Sequence, residues 1–284
     1  MARLDALPDQ AADHARRTAR QASPWVERLA RFGYIAKGIV NGLVGVLALE
    51  VALGVGGTTT DPRGALEQIL LAPFGRFLLA AIAFGLAGYG MWRFVQAGLD
   101  TERQGNEAKG LLTRGSYVIV GALYLGLAFS AVRLLFGSGG GSSDSKYQGW
   151  TATLLAKPFG RWLVVLAGLV VIGIGVFQLY QAWSAKFTEY LRLGELGADE
   201  RNLVTRLGRI GYAARGVVFG IIGLFLIMAA VREQPEQARG IGGALATLAQ
   251  QRYGPWLLGA IALGLAAYGA FVLVEARYRR VLLR

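Results

Sequence analysis

The chain has no cysteine and a single histidine, His14, among its 284 residues. The first absence excludes disulfides, iron–sulfur clusters and thiol catalysis. The second excludes a bis-histidine haem, a histidine-rich metal site and a histidine-based triad built from one chain. No cofactor, metal site or catalytic residue is therefore expected. Charge is also scarce, at 17% of residues, where soluble domains carry about a quarter. What is abundant is apolar surface, 54% of residues, and glycine, 41 residues. The glycines sit inside apolar runs, as in membrane helices, where small residues let backbones approach closely. The net charge of +12 does not point to nucleic acid, because basic residues in so apolar a chain orient membrane spans.

Six apolar segments stand out, at Tyr34–Val55, Phe77–Trp92, Gly115–Val132, Trp162–Trp183, Tyr212–Val231 and Trp256–Val274. With their partly polar ends, each matches the about 20 residues that a helix needs to cross the hydrocarbon. No alternating pattern supports a barrel. Met1–Ala22 is polar and helix-prone without an apolar core, so it does not read as a cleaved signal peptide. About 21 of the 30 basic residues lie on the side of the N-terminus, the Asp100–Arg114 and Lys186–Arg209 connections and the C-terminus. That asymmetry predicts that both termini lie in the cytoplasm.

The spans repeat. Gly33-Tyr34-Ile35-Ala36-Lys37-Gly38 opens the first and Gly211-Tyr212-Ala213-Ala214-Arg215-Gly216 the fifth, with a weaker Ser116-Tyr117-Val118-Ile119-Val120-Gly121 in the third. Pro73-Phe74-Gly75-Arg76 recurs as Pro158-Phe159-Gly160-Arg161. Gly85-Leu86-Ala87-Gly88-Tyr89-Gly90 recurs as Gly264-Leu265-Ala266-Ala267-Tyr268-Gly269, of which the fourth span keeps Gly175. Before each even span comes a short third element, at Asp61–Leu70, Gln148–Leu155 and Arg239–Ala249. Asp61 before Pro62 marks a helix start. The fold expected is all-α and integral to the membrane. Six transmembrane helices form three parallel two-helix repeats about a pseudo-threefold axis, with short outer interfacial helices. The divisions are a cytoplasmic amphipathic N-terminal segment (1–30), repeat 1 (31–99), repeat 2 (109–185), a cytoplasmic connection (186–206), repeat 3 (207–278) and a basic tail (279–284). Ser23-Pro24 reads as the start of the amphipathic helix, and Gly137–Ser143 as a flexible linker.

These ordered motifs resemble the bacterial family known as domain of unknown function 1206, over about Arg31 to Arg277. The resemblance implies the repeat architecture and a place in the bacterial cytoplasmic (inner) membrane, and carries no activity.

Ionisable groups inside spans are functional suspects. Glu50 sits in the outer half of the first span and Arg133 closes the third. An offset of 83 residues aligns them, with Met228 in the third copy. They are expected to face the pseudo-axis and pair, as a charged gate or substrate contact or as a structural ion pair; the other reading has the Glu50 carboxylate reach the outer headgroups. Asn41, polar within the first span, is expected to bond between helices. Lys37 and Arg215 lie one turn inside the cytoplasmic end, where they either snorkel to headgroups or line a basic mouth for anions. Tyr34, Tyr117 and Tyr212 read as interface anchors. The function expected is that of a structural, accessory or partner-binding membrane component, without enzymatic activity. Its partners would be the lipid bilayer and a protein partner or a second copy. The alternatives are a small-solute or ion pathway along the axis and, last, an enzyme acting on lipid.

Overall fold

The computed structural model describes residues 7–99, 108–137, 143–192, 194 and 196–279. Nine α-helices are present among them: α1 (Leu7–Ala52), α2 (Pro62–Leu71), α3 (Gly75–Leu99), α4 (Ala108–Leu135), α5 (Ser143–Leu155), α6 (Gly160–Ser184), α7 (Ala198–Val231), α8 (Ile241–Ala249) and α9 (Gly254–Tyr278). Six of them are long and apolar enough to cross a membrane, at Glu27–Ala52, Gly75–Gly98, Gly110–Leu135, Gly160–Ser184, Ala198–Val231 and Gly254–Tyr278. The protein is a multi-pass membrane protein, because only helices or closed barrels satisfy their backbones in lipid. The long helices alternate with α2, α5 and α8, which gather at one end, the short-helix end. The opposite, terminal end carries the ends of α3, α6 and α9 and the start of α4.

Two boundaries differ from the sequence reading. α1 is one continuous helix that runs through Ser23 and Pro24, so the amphipathic segment and the first span are a single rod. A proline interrupts one backbone hydrogen bond, and the flanking turns carry the helix past it. α7 begins at Ala198, inside the expected connection 186–206, with Asp199 and Glu200 in its first turn, where the helix dipole favours acids. Residues 138–142 of the expected linker, 280–284 of the expected tail, and the side chains before Glu27 lie outside the described residues.

The Pro-Phe-Gly-Arg motif makes the turn from short helix to long helix. Phe74 and Phe159 sit in the left-handed region, at φ 58° and 63°, a conformation that costs a non-glycine residue about 1–2 kcal/mol. Glycine follows because Gly75 and Gly160 lie against carbonyls of the preceding short helix, Leu70 and Leu154, and a Cβ there would overlap them. Gly254 makes the same approach to Ala249. Asp61 caps α2, its Oδ1 accepting from the Arg63 and Gly64 amides at 3.1 and 3.0 Å.

Helix association in lipid cannot draw on a hydrophobic drive between helices, so close backbone approach decides which helices pack. Equivalent glycines mark each junction between repeats. Gly90 meets Gly121 between α3 and α4, Gly175 meets Gly216 between α6 and α7, and Gly269 meets Gly42 and the Gly38 carbonyl between α9 and α1. Within repeats 1 and 3 a second crossing forms. A Cβ on Gly33 would lie 2.6 Å from the Tyr89 nitrogen, and one on Gly211 2.6 Å from the Tyr268 Cα. Gly85 packs on Ala36 and Gly264 on Ala214 in the same way.

Repeat 2 lacks this second crossing. Its counterparts are Ser116 for Gly33, Val170 for Gly85 and Ile119 for Ala36. Ile119 and Val170 are both exposed, and α4 and α6 make no sustained contact with each other, whereas every other neighbouring pair of long helices does. The result is an open ring, in the order α4, α3, α1, α9, α7, α6, with its gap in the most diverged repeat. The interior is packed by Val40, Val44, Ala48, Leu79, Leu86, Val218, Ala262 and Leu265.

Gly45 touches the Ala266 backbone, whereas Gly126 has open space around it. Gly45→Ala should lower stability by about 1–3 kcal/mol, and Gly126→Ala should be neutral or stabilising by up to about 1 kcal/mol. Thermal unfolding of the two variants in detergent checks this; equal effects would sink the assignment of a seam.

Candidate functional site

Tyr34 and Lys37 are three residues apart and share the inward face of α1 with Val40 and Val44. That face places Lys37 inside the ring, 6% exposed, rather than at the headgroups. Its ammonium donates to the Tyr89 hydroxyl of α3 at 3.1 Å. It also lies 4.9 Å from the Tyr89 ring centre, 5.6 Å from that of Tyr34 and 5.7 Å from that of Tyr268 of α9. Snorkelling is replaced by a tyrosine cage, in which desolvated cation–π contacts are worth about 2 kcal/mol each.

Tyr89 is the hub. Besides Lys37, it accepts from Arg93 Nε at 2.9 Å and from an Arg93 terminal nitrogen at 2.7 Å. The other terminal nitrogen of Arg93 donates to Gln96 Oε1 at 3.1 Å. The Tyr89 ring packs edge-on against Tyr34, 5.0 Å between centres, and against Tyr124 of α4, 4.6 Å. Arg93 also covers Tyr117 at 5.1 Å. Across the ring, Arg215 of α7 stacks on Tyr268 at 4.3 Å and on Phe219 at 5.5 Å. Tyr212 packs on Tyr268, Phe271 and Phe187, the last from the 3-10 turn Lys186–Tyr190. Arg279 pairs with Glu275, one turn before it on α9, and lies over Tyr34 at 5.1 Å and Tyr190 at 5.6 Å.

Five of the sequence-derived candidates therefore meet in one cluster at the terminal end: Lys37, Arg215, Tyr34, Tyr117 and Tyr212. The other three do not join as expected. Asn41 donates to the Lys37 carbonyl at 2.8 Å, a bond within α1 rather than between helices, because that carbonyl lies one turn back on the same face. Glu50 and Arg133 are both exposed, at the short-helix end, and neither is enclosed at the bundle centre. The Glu50 carboxylate lies beside Gly57 of the α1–α2 connection. Arg133 lies near Lys146 of α5, whose ammonium is pushed below its usual range by desolvation first and then by Arg63 and Arg133. A separate cavity of about 210 Å³ opens at this end, between Thr60, Asp61, Arg63, Glu67, Asp144 and Gly243.

Sequence reasoning missed Tyr89, Arg93, Gln96, Tyr268, Glu275 and Arg279 as one site. A signal existed. Gln96-Ala97, Gln181-Ala182 and Glu275-Ala276 occupy equivalent places after Gly90, Gly175 and Gly269, so the even spans carry a repeated polar position that becomes a carboxylate once.

Residues 32–100, 115–185 and 210–279 each match the family described as Domain of Unknown Function (DUF1206). The chain belongs to that family. The three DUF1206 matches coincide with the three repeats. The DUF1206 chain is 37% identical over 262 residues to "Uncharacterized protein YxxB" of Bacillus subtilis (strain 168), covering 92% of this chain and 94% of that relative. No solved structure matches it.

The charge balance of the cluster is uneven. Lys37, Arg93, Arg215 and Arg279 share the cluster with Glu275, the only buried acid among the described residues. Glu275→Gln should therefore cost about 3–5 kcal/mol, the usual result of stranding buried charge. Lys37→Met removes a cation and should be neutral or stabilising alone, and should recover part of the Glu275→Gln loss. A double-mutant cycle on unfolding midpoints checks the coupling; simple additivity would remove Lys37 from the field of Glu275.

Proposed function

We propose that this DUF1206 protein is a structural or accessory component of the bacterial cytoplasmic membrane, binding a partner or ligand rather than conducting solutes. The observation that carries the reading is the packing of the ring. From the tyrosine cluster to the short-helix end, the interior is filled by Val40, Val44, Leu86, Val218 and Leu265, all at most 7% exposed. A solute following the axis would have to cross that apolar plug with its polar groups unpaired, which costs several kcal/mol per group. The exposed faces of α4 and α6 leave room for a partner helix or a second copy. The non-enzymatic part of the reading rests on the absence of cysteine, the single histidine outside the spans, and the lack of any metal-binding group of acids and histidine among the described residues. The basic terminal end supports cytoplasmic termini.

A second reading draws on a specific observation. The buried cations at one end of the axis favour an anion pathway, for which the apolar plug would be a gate that opens.

Proteoliposomes separate the two. The accessory reading expects chloride and phosphate efflux at the rate of protein-free vesicles, unchanged by Glu50→Gln. Saturable efflux that Arg215→Gln abolishes would overturn it in favour of the pathway. A C-terminal green fluorescent reporter should fluoresce and a periplasmic phosphatase fusion stay silent; the reverse pattern would invert the topology.

A further inference from the structure

The buried cluster has a surplus of positive charge that the described residues do not themselves neutralise. Arg279 takes the Glu275 carboxylate. Lys37 and Arg93 share the neutral hydroxyl of Tyr89, and Arg215 rests on aromatic faces. Lys37 is buried and Arg93 and Arg215 are half-buried, and a cation taken out of water costs several kcal/mol unless an anion and hydrogen-bond partners compensate it. Two buried donors in the same cluster are also unused, since the Tyr34 hydroxyl and the Trp92 indole nitrogen have no hydrogen-bond partner. The Tyr89 oxygen is saturated as an acceptor by three N–H groups, which leaves its own proton to donate elsewhere. Ammonium, guanidinium, phenol and indole donors in one low-dielectric site are the set that an oxyanion requires.

The fold also provides a way in. The ring is open between α4 and α6, where Ile119 and Val170 replace the small residues that close the other repeats. Tyr117 and Tyr124 on the α4 flank, and Arg93 and Arg215 behind the flanks, are half-buried rather than sealed. Arg93 is five residues from Gly98, the end of its span, which is about 8 Å along a helix and so close to headgroup depth.

We propose that the cluster binds a phosphate oxyanion, supplied by the headgroup of an anionic membrane lipid that enters from the bilayer between α4 and α6. Arg93, five residues inside the end of its span, and Arg215 hold the phosphate, Lys37 supplies charge from beneath, and Tyr89, Tyr34 and Trp92 donate to it. The proposal deepens the binding-component reading and rests on it. Its failure is distinguishable, because a protein that conducts nothing and binds no anion remains a structural component.

The test uses the full chain in neutral detergent, with unfolding midpoint and native mass spectrometry as readouts. The probes are phosphatidylglycerol, phosphatidylcholine and inorganic phosphate. Phosphatidylglycerol should stay bound through purification and raise the midpoint, while phosphatidylcholine does neither. Arg215→Gln, at a half-buried position, should weaken phosphatidylglycerol retention about tenfold or more. Arg93→Gln should do the same, and Arg93→Lys should restore part of it. A matching midpoint rise with inorganic phosphate alone, lost in Arg215→Gln, supports the oxyanion site and makes its source a free anion. Equal retention of both lipids, or retention indifferent to Arg93 and Arg215, overturns the proposal. So does a tyrosinate ultraviolet band that Tyr89→Phe removes, since an ionised Tyr89 would itself be the missing anion.

Discussion

Lipid is as apolar as leucine, so a helix in a bilayer gains little by covering its apolar face with another helix. What remains is contact at short range, and contact at short range between backbones needs residues without side chains. The structure depends on that constraint. Gly42 against Gly269, Gly90 against Gly121 and Gly175 against Gly216 set the three junctions between repeats, and Gly33 against Tyr89 and Gly211 against Tyr268 close two of the repeats internally. Where Ser116, Ile119 and Val170 stand instead, the crossing is lost and the ring stays open. A few side-chain atoms thus separate a closed bundle from one with a lateral gap.

The buried cluster follows from the same crossings. The glycine that lets α1 approach α3 also brings Tyr34 and Lys37 onto Tyr89, and the glycine that lets α7 approach α9 brings Tyr212 and Arg215 onto Tyr268. The repeat therefore builds half of a cation–tyrosine cage twice, and the α9–α1 junction joins the halves. Repeat 2 contributes differently, with Tyr117 and Tyr124 on the flank of the gap. Symmetry provides the frame, and divergence in one copy provides access to it.

Much of the fold was legible in the residues. Apolar length, the ordered Gly-Tyr and Pro-Phe-Gly-Arg motifs and the Asp61-Pro62 cap led to six spans, three repeats and short helices at one end, because those properties are local and periodic. The site was half legible. Lys37, Arg215 and the repeated tyrosines stood out as members of a motif, but whether a lysine one turn inside a span snorkels or turns inward depends on which face its neighbour covers. Glu50 and Arg133 show the opposite case. Equivalent depth in aligned repeats suggested a pair at the axis, yet depth does not specify direction around a helix.

The sequence by itself determined that this protein lies in a membrane, repeats three times and uses no thiol or histidine chemistry in its spans. Composition and period carry that information residue by residue. Only the tertiary structure decided that four cations, Lys37, Arg93, Arg215 and Arg279, converge on one tyrosine-lined interior, that Glu275 is the one buried acid among the described residues, and that the second repeat leaves a door beside them. Those facts arise from side chains on helices distant in sequence, brought together by backbone contacts whose geometry no single segment contains.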